Sequence, residues 1–334
     1  MDSKDKRLLY FLDLKSRIKD TELAKELKTS KHVVNYRIKR LIEDGVIKQF
    51  QTVLNLEKLG INLYASIYFK LRETDKNKEK KILDYLVNNK KVSYVGLIGG
   101  RYDLSIVLAS HNIKELDKKL NQIVEEYPGE LGEYEVSLRT FGAKFPKKFL
   151  LETKDTESKK ILSEIGGVEQ IDSLDRKILK ILSINSRESL VKISEKLKIP
   201  FSTVRKRIKS LETSGVIAGY SLLFDLKKIG IMNYKIFIRT KNKSETTTKN
   251  LMEFCARHKN ITWFFKTIGQ HDYEIRVEVE NPEIYQEIIR EIRSAFGNNI
   301  EELETVNIFN ELKEDYSTIL EDLSSNQNRT KDSI

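Results

Sequence analysis

The 334-residue sequence holds one cysteine, one tryptophan, three methionines, four prolines and four histidines. The single Cys255 excludes an intrachain disulfide and fits a reducing compartment; it reads as a small apolar residue on a helix. His32, His111, His258 and His271 are scattered and form no spaced ligand set with Cys255, so no metal site, cofactor or catalytic constellation is expected. The glycine pairs Gly99-Gly100 and Gly166-Gly167 lack the spacing of a phosphate-binding loop. No run approaches the roughly 18 apolar residues that span a bilayer, and the opening MDSKDKRLLYFLDLK has no uninterrupted apolar segment of signal type. The expectation is a soluble, cytoplasmic protein with no membrane partner.

Positive charge is abundant and unevenly placed. The formal balance is +10, yet residues 1–50 hold 13 lysines and arginines against 8 acids (+5) and residues 171–220 hold 11 against 5 (+6), leaving −1 for everything else. Basicity gathered into two segments is what attraction to phosphates requires; a merely soluble surface would spread it. An apolar content of 39% with 14 Tyr and 14 Phe suits folded domains, and the length implies several of them.

Within the first basic segment, SKHVVNYRIKRLIEDG (30–45) puts Val34, Ile38 and Leu41 at i, i+4 and i+7, one buried stripe of a helix. His32, Tyr36 and Lys39 fall opposite, with Asn35 and Arg40 to either side. The pattern returns 170 residues later in FSTVRKRIKSLETSG, where Val204, Ile208, Leu211 and Gly215 match Val34, Ile38, Leu41 and Gly45. Two helices precede the first copy: DKRLLYFLDL, then TELAKEL, for which Asp20 is the expected cap. Ala24, or Ser194 in the second copy, is the small residue a close helix crossing needs, and Ser30 caps the third helix. Three such helices describe a helix-turn-helix.

A helix of this kind fits the major groove, so the side chains opposite its buried stripe can touch base edges. The helical wheel assigns His32, Asn35 and Tyr36 to bases and Arg37, Lys39 and Arg40 to phosphates. In the second copy Ser202, Thr203, Arg205 and Lys206 are the base candidates, with Arg207 and Lys209 for phosphates. One face is largely neutral and the other cationic. Each chain is therefore expected to read a non-palindromic site, its halves about one helical turn, or a multiple of it, apart.

After each helical unit the texture turns strand-like, at 46–56 and 216–226. INLYASIYFKL then alternates with period two, followed by a helix, two strands around the turn GGRYD, a second helix and a last strand. The order β-α-β-β-α-β suggests a ferredoxin-like sheet with both helices on one face, and residues 234–309 repeat it. The opposite face carries Tyr64, Ser66, Tyr68 and Lys70 in one copy and Lys235, Phe237 and Arg239 in the other, which should pair the two sheets as a pseudo-dimer. The expected class is α+β, a tandem repeat: helix-turn-helix domains at 1–50 and 171–220, ferredoxin-like domains at 60–150 and 230–312, a charged linker at 151–170 in which SKKILSEI reads as a short helix, and a disordered tail at 322–334.

LAKELKTSKHVVNYRIKRLIEDGVI, the pair Leu59-Gly60 and the turn GGRYDL resemble the Lrp/AsnC family of transcription regulators, and KISEKLKIPFSTVRKRIKSLETSGVI, KKIG and GQHDY resemble it again. The resemblance covers nearly the whole chain. It implies winged-helix-like DNA-binding modules, each followed by a ligand-binding (RAM) domain that oligomerises through its sheet and takes an amino-acid effector near the glycine-to-aspartate turn. It also implies that Arg37 and Arg207 are the family's third-helix arginines. Two features depart from it: two copies are fused where most members carry one, and Pro200 stands where a serine usually caps the helix. Proline cannot cap through a side chain, so the second reading helix should start differently or bind more weakly.

An amino-acid effector needs donors for its carboxylate and an acceptor for its ammonium. Gly100, Arg101 and Asp103, or Gly269, His271 and Asp272, supply them; the alternative is a plain hairpin turn in which glycine takes a positive φ and aspartate bonds its own backbone. The expected function is a sequence-specific DNA-binding regulator and not an enzyme, with double-stranded DNA, an effector and further copies of the chain as partners. One rival is an enzyme similar to the sirohaem decarboxylases, which share this architecture. It would gather Lys235, Arg239 and Arg276 on porphyrin carboxylates, but Glu274 and Glu278 share the face of Arg276. The other is an effector-sensing module that does not touch DNA.

Overall fold

A computed structural model describes residues 1–72, 74–151, 161–162, 167–315 and 319–320; the expected tail and most of the expected linker lie outside them. The first half runs α1 (Ser3–Leu14), α2 (Asp20–Glu26), α3 (Lys31–Glu43), β1 (Ile47–Leu54), β2 (Leu63–Lys70), α4 (Lys76–Asn88), β3 (Val92–Gly99), β4 (Leu104–Ser110), α5 (Ile113–Val124) and β5 (Glu133–Lys144). A two-residue strand β6 (Ile161–Leu162) pairs with β5, so these residues of SKKILSEI are strand and not the expected helix, their backbone completing a sheet edge. The second half repeats the order as α6 (Ser173–Ile184), α7 (Leu190–Leu197), α8 (Phe201–Thr213), β7 (Ile217–Phe224), β8 (Met232–Thr240), α9 (Glu245–Arg257), β9 (Ile261–Ile268), β10 (Tyr273–Val279), α10 (Pro282–Phe296) and β11 (Ile300–Glu314).

Local chemistry sets the helix starts. Asp2 and Asp5 form a capping box at α1, and Asp172 with Asp175 repeats it at α6. Ser30 caps α3 by accepting from Val33 N at 3.3 Å. Pro200 offers no such bond, yet α8 begins at the position equivalent to the start of α3. The Pro200 carbonyl accepts from Thr203 N and Val204 N, so losing the side-chain cap does not move the helix start. Asp20 is not the cap of α2. Lys19 holds that place without a side-chain bond, and Asp20 sits inside the first turn, where its carboxylate meets Arg187.

The two ferredoxin-like sheets do not merely stack. Strand order β2-β4-β3-β11-β8-β10-β9-β5, with β5 returning to β2, closes eight antiparallel strands into a barrel. Each half-sheet alone would expose two edges; here β3 pairs with β11 and β5 with β9, so each half supplies the backbone partners the other lacks. Ala65, Ile67 and Phe69 point outward to Ile82, Leu86 and Leu120 on α4 and α5, and Ile236 and Ile238 to Leu251 and Ile288 on α9 and α10. Each of these side chains larger than alanine contributes about 1.5–3 kcal/mol by leaving water. The alternate face, including Tyr68, Phe237 and Lys235, turns inward, where Lys235 bonds Glu274 at 3.0 Å. Burial alone would raise the Glu274 carboxyl, but Lys235 and Arg139 outweigh it and hold it down at about 2.

Strands β1 and β7 form a separate antiparallel ribbon in which Gln51 faces Ser221, its own counterpart 170 residues on. The core of the first helical unit runs onto Leu222 and Phe224 of β7, and that of the second onto Leu59 and Ile61. Each helical unit thus rests on chain from the opposite copy.

Candidate nucleic-acid interface

Helices α3 and α8 each bury one stripe. Val34, Leu41, Val204, Ile208 and Leu211 are at most 5% exposed. The opposite face of α3 presents His32, Asn35, Tyr36 and Lys39, with Tyr36 61% exposed; that of α8 presents Ser202, Arg205, Lys206 and Lys209, with Thr203 half-buried. Lys39 lies 3.6 Å from Glu43, but both are largely exposed, and such a pair contributes little.

Arg37 and Arg207 occupy a different place from the outer-face residues. Arg37 bridges Asp2 at 2.7 Å and Asp5 at 2.6 Å, and Arg40 adds a bond to Asp5 at 2.5 Å. Arg207 repeats this toward Asp172 at 2.8 Å and Asp175 at 3.3 Å. Burial would raise the Asp2 carboxyl, but Arg37 and the Asp5 N–H together outweigh that and hold it below the ordinary range. These arginines join the third helix to the start of the first. The repeated D-S-x-D at 2–5 and 172–175 carried this signal in the sequence.

A second crossing was legible only in the repeated dipeptide Ser16-Arg17 and Ser186-Arg187. Ser16 Oγ and Ser186 Oγ meet at 2.5 Å. Arg17 donates to the carbonyls of Ser186 and Glu188, while Arg187 donates to those of Ser16 and Ile18. Each guanidinium also lies over an aromatic ring of the ribbon, Arg17 over Tyr220 and Arg187 over Phe50. The two units are therefore clasped around a pseudo-twofold axis. The Asp13 link has no mate: Asp13 on α1 accepts from Lys144 of the barrel at 3.0 Å and from Ser221 of the ribbon at 2.9 Å, whereas Ser183 at the equivalent position of α6 bonds Leu179 of its own helix. Burial would raise the Asp13 carboxyl, but Lys144 and Lys147 prevail and lower it.

The glycine-to-aspartate turns connect β3 to β4 and β9 to β10, with Gly100 at φ 127° and Gly269 at φ 157°. Their aspartates are engaged. Asp103 accepts from Lys70 Nζ and Leu71 N, both at 3.0 Å; Asp272 accepts from Thr240 N at 2.8 Å and from Lys243 Nζ at 2.8 Å. They bind the neighbouring strand end and not their own turn. Arg101 spans Glu135 at 2.7 Å and Glu304 at 3.1 Å. The fold also sets His271 beside Glu302 and Glu304, a histidine and two carboxylates at ligand reach that sequence spacing did not disclose.

A winged helix-turn-helix DNA-binding model matches residues 1–48, an AsnC-type helix-turn-helix model residues 171–212, and an Lrp/AsnC ligand-binding model residues 235–318. An uncharacterised HTH-type transcriptional regulator of Pyrococcus furiosus is 30% identical over 148 residues, which are 44% of this chain and 97% of that one. The DNA-binding transcriptional activator DecR of Escherichia coli is 27% identical over 123 residues, 36% of this chain and 81% of that one. The siroheme decarboxylase NirDL, solved with an iron-uroporphyrin III analogue, overlays with a TM-score of 0.62, covering 98% of this chain and 100% of that one at 14% identity, a likeness of fold. No described helix is long and apolar enough to cross a membrane. With one relative matched over almost its full length and both domain types recognised, the chain belongs to the Lrp/AsnC family.

Proposed function

We propose that this chain is a sequence-specific, DNA-binding transcription regulator in which two unlike reading helices act as the two halves of a pseudo-dimer. The observation that carries this reading is the division of labour on α3 and α8. The arginines nearest the scaffold are held by Asp2, Asp5, Asp172 and Asp175, while the outer polar and cationic side chains stay exposed in both units. His32, Asn35 and Tyr36 would read bases in one half-site and Ser202, Thr203, Arg205 and Lys206 in the other, with Lys39, Arg40 and Lys209 on phosphates. Arg37 and Arg207 act chiefly by holding each third helix in place. In vitro selection of bound duplexes tests this: the recovered site has two different halves about one helical turn, or a multiple, apart. Recovery of unselected sequence alone would contradict it. Effector binding at Gly100, Arg101 and Asp103 or at Gly269, His271 and Asp272 belongs to the same reading, and Asp103→Ala or Asp272→Ala should abolish amino-acid binding seen by calorimetry.

The full-length likeness to NirDL favours a second reading, an enzyme acting on a tetrapyrrole. A cavity of about 230 Å³ between ribbon and barrel is lined by Arg139, Lys144, Lys235 and Arg276. Three of these cations already bond carboxylates: Lys144 with Asp13, Lys235 with Glu274 and Arg276 with Glu311. A balanced lining of this size suits a polycarboxylate macrocycle poorly. A change in visible absorbance on adding sirohaem to the full chain would favour the enzyme.

A further inference from the structure

We propose that His271, Glu302 and Glu304 form a binding site for a divalent first-row metal ion, one per chain, with zinc or manganese as its chemical type. Three buried atoms carry the argument. His271 Nε2 and Glu304 Oε2 make no hydrogen bond, Glu302 Oε2 lies 2.7 Å from Arg239 Nη2 in an ion pair, and these three residues bring their ligand atoms within 4.8 Å of one another. A buried acceptor without a partner is costly, so two that face each other beside a third carboxylate call for a shared cation. His271 is 5% exposed, and its ring is stacked on Phe237 at 4.8 Å, which fixes the plane of the imidazole. Its Nε2 lies 3.4 Å from Glu304 Oε2. Donors at about 2.0–2.2 Å from one ion stand roughly 3–4 Å apart, so this pair is already spaced for it, and Glu302 joins by exchanging its Arg239 pair for the ion.

The first copy shows what the same position does without a metal ligand. Tyr102 stands at the place of His271 and Glu135 at that of Glu304, and the tyrosine satisfies the carboxylate with its own O–H. Replacing that donor by an imidazole nitrogen leaves the second site open. Charge agrees. Among the described residues, Glu135, Glu301, Glu302 and Glu304 share the two guanidiniums of Arg101 and Arg239, a surplus of two negative charges that a dication cancels. Arg101 holds Glu304 through Oε1 and leaves Oε2 toward the histidine. Imidazole with two carboxylates suits zinc, manganese or iron better than a thiolate-seeking ion, and three protein ligands leave a coordination position for water or a small molecule.

The test uses the full chain stripped by chelator. Calorimetric titration with Zn²⁺ and with Mn²⁺ should show one ion per chain at micromolar affinity or tighter, and Co²⁺ should give visible absorption bands of a nitrogen- and oxygen-ligated ion. His271→Tyr, which restores the residue of the first copy, should abolish the binding, and Glu304→Gln should weaken it by about 100-fold. His32→Ala should leave it unchanged. Circular dichroism and the melting temperature of each variant separate lost ligation from lost fold; should His271→Tyr unfold, Glu302→Gln takes its place. No stoichiometric binding of either ion, or binding that survives both His271→Tyr and Glu304→Gln, overturns the site. The result is independent of DNA, so it leaves the regulatory reading standing or falling by itself.

Discussion

The two reading units share a scaffold almost residue for residue and differ where they face outward. Capping boxes, arginine clamps and buried stripes recur 170 positions apart. On the outer faces, His32, Asn35 and Tyr36 give way to Ser202, Arg205 and Lys206. Positions that hold a helix in place are constrained by neighbours that also recur, whereas outward positions answer only to what docks there. On the reading proposed above, both units touch bases, the first through largely neutral groups and the second through cations, so the second should lean more on charge.

The most severe test of that contrast removes Arg205, Lys206 and Lys209 together as alanines. Affinity measured near 0.1 M salt should fall about 100-fold, and the slope of log affinity against log salt should flatten by about 1, the counterion released by Lys209 on a phosphate, while Arg205 and Lys206 act on bases. Equal flattening on replacing His32, Asn35 and Tyr36 would erase the contrast. Next in size, Arg37→Ala should cost about 2 kcal/mol of stability in chemical denaturation, since it strips a partner from the buried Asp5. Arg207→Ala should cost about half as much, its guanidinium being more exposed and its bonds longer. Equal losses would show that the clamps are equivalent. Asn35→Ala should lower affinity for the preferred duplex by about tenfold while leaving the salt slope unchanged, the mark of a base contact in place of a phosphate contact.

The smallest effect concerns the unmatched tether. Asp13 has a carboxyl lowered in the fold, so its stabilisation is complete above the ordinary aspartate range and is lost as pH falls through the lowered value. Hydrogen exchange in acid should open α1 before α6, which carries Ser183 in that place. Asp13→Asn should bring the same imbalance to neutral pH, and synchronous opening would contradict it.

The helical units were legible because two stripes at i, i+4 and i+7 repeat at constant offset, and the sheet domains because period-two strands alternate with helices in a recognised order. Barrel closure was not, since edge pairing between β5 and β9 or β3 and β11 joins residues from opposite halves with no local trace. The polar strand face did point to joined sheets, though not to its inward place. Asp20 misled because an aspartate before a helix is a good cap in isolation, and here Arg187 of the other unit claims it. His271 showed no ligand partners in sequence because Glu302 and Glu304 lie on β11, distant in the chain, which comes beside it by pairing with β8 in the folded sheet.

One titration bears most directly on the central claim that two unlike helices lie on one duplex. Affinity of the full chain for a selected double-stranded oligonucleotide should fall linearly with log salt. Shuffling one half-site should weaken binding without abolishing it, the half read by α3 being the more sensitive to sequence. Absence of measurable binding to any duplex in dilute buffer, or indifference to shuffling of either half, would contradict the account.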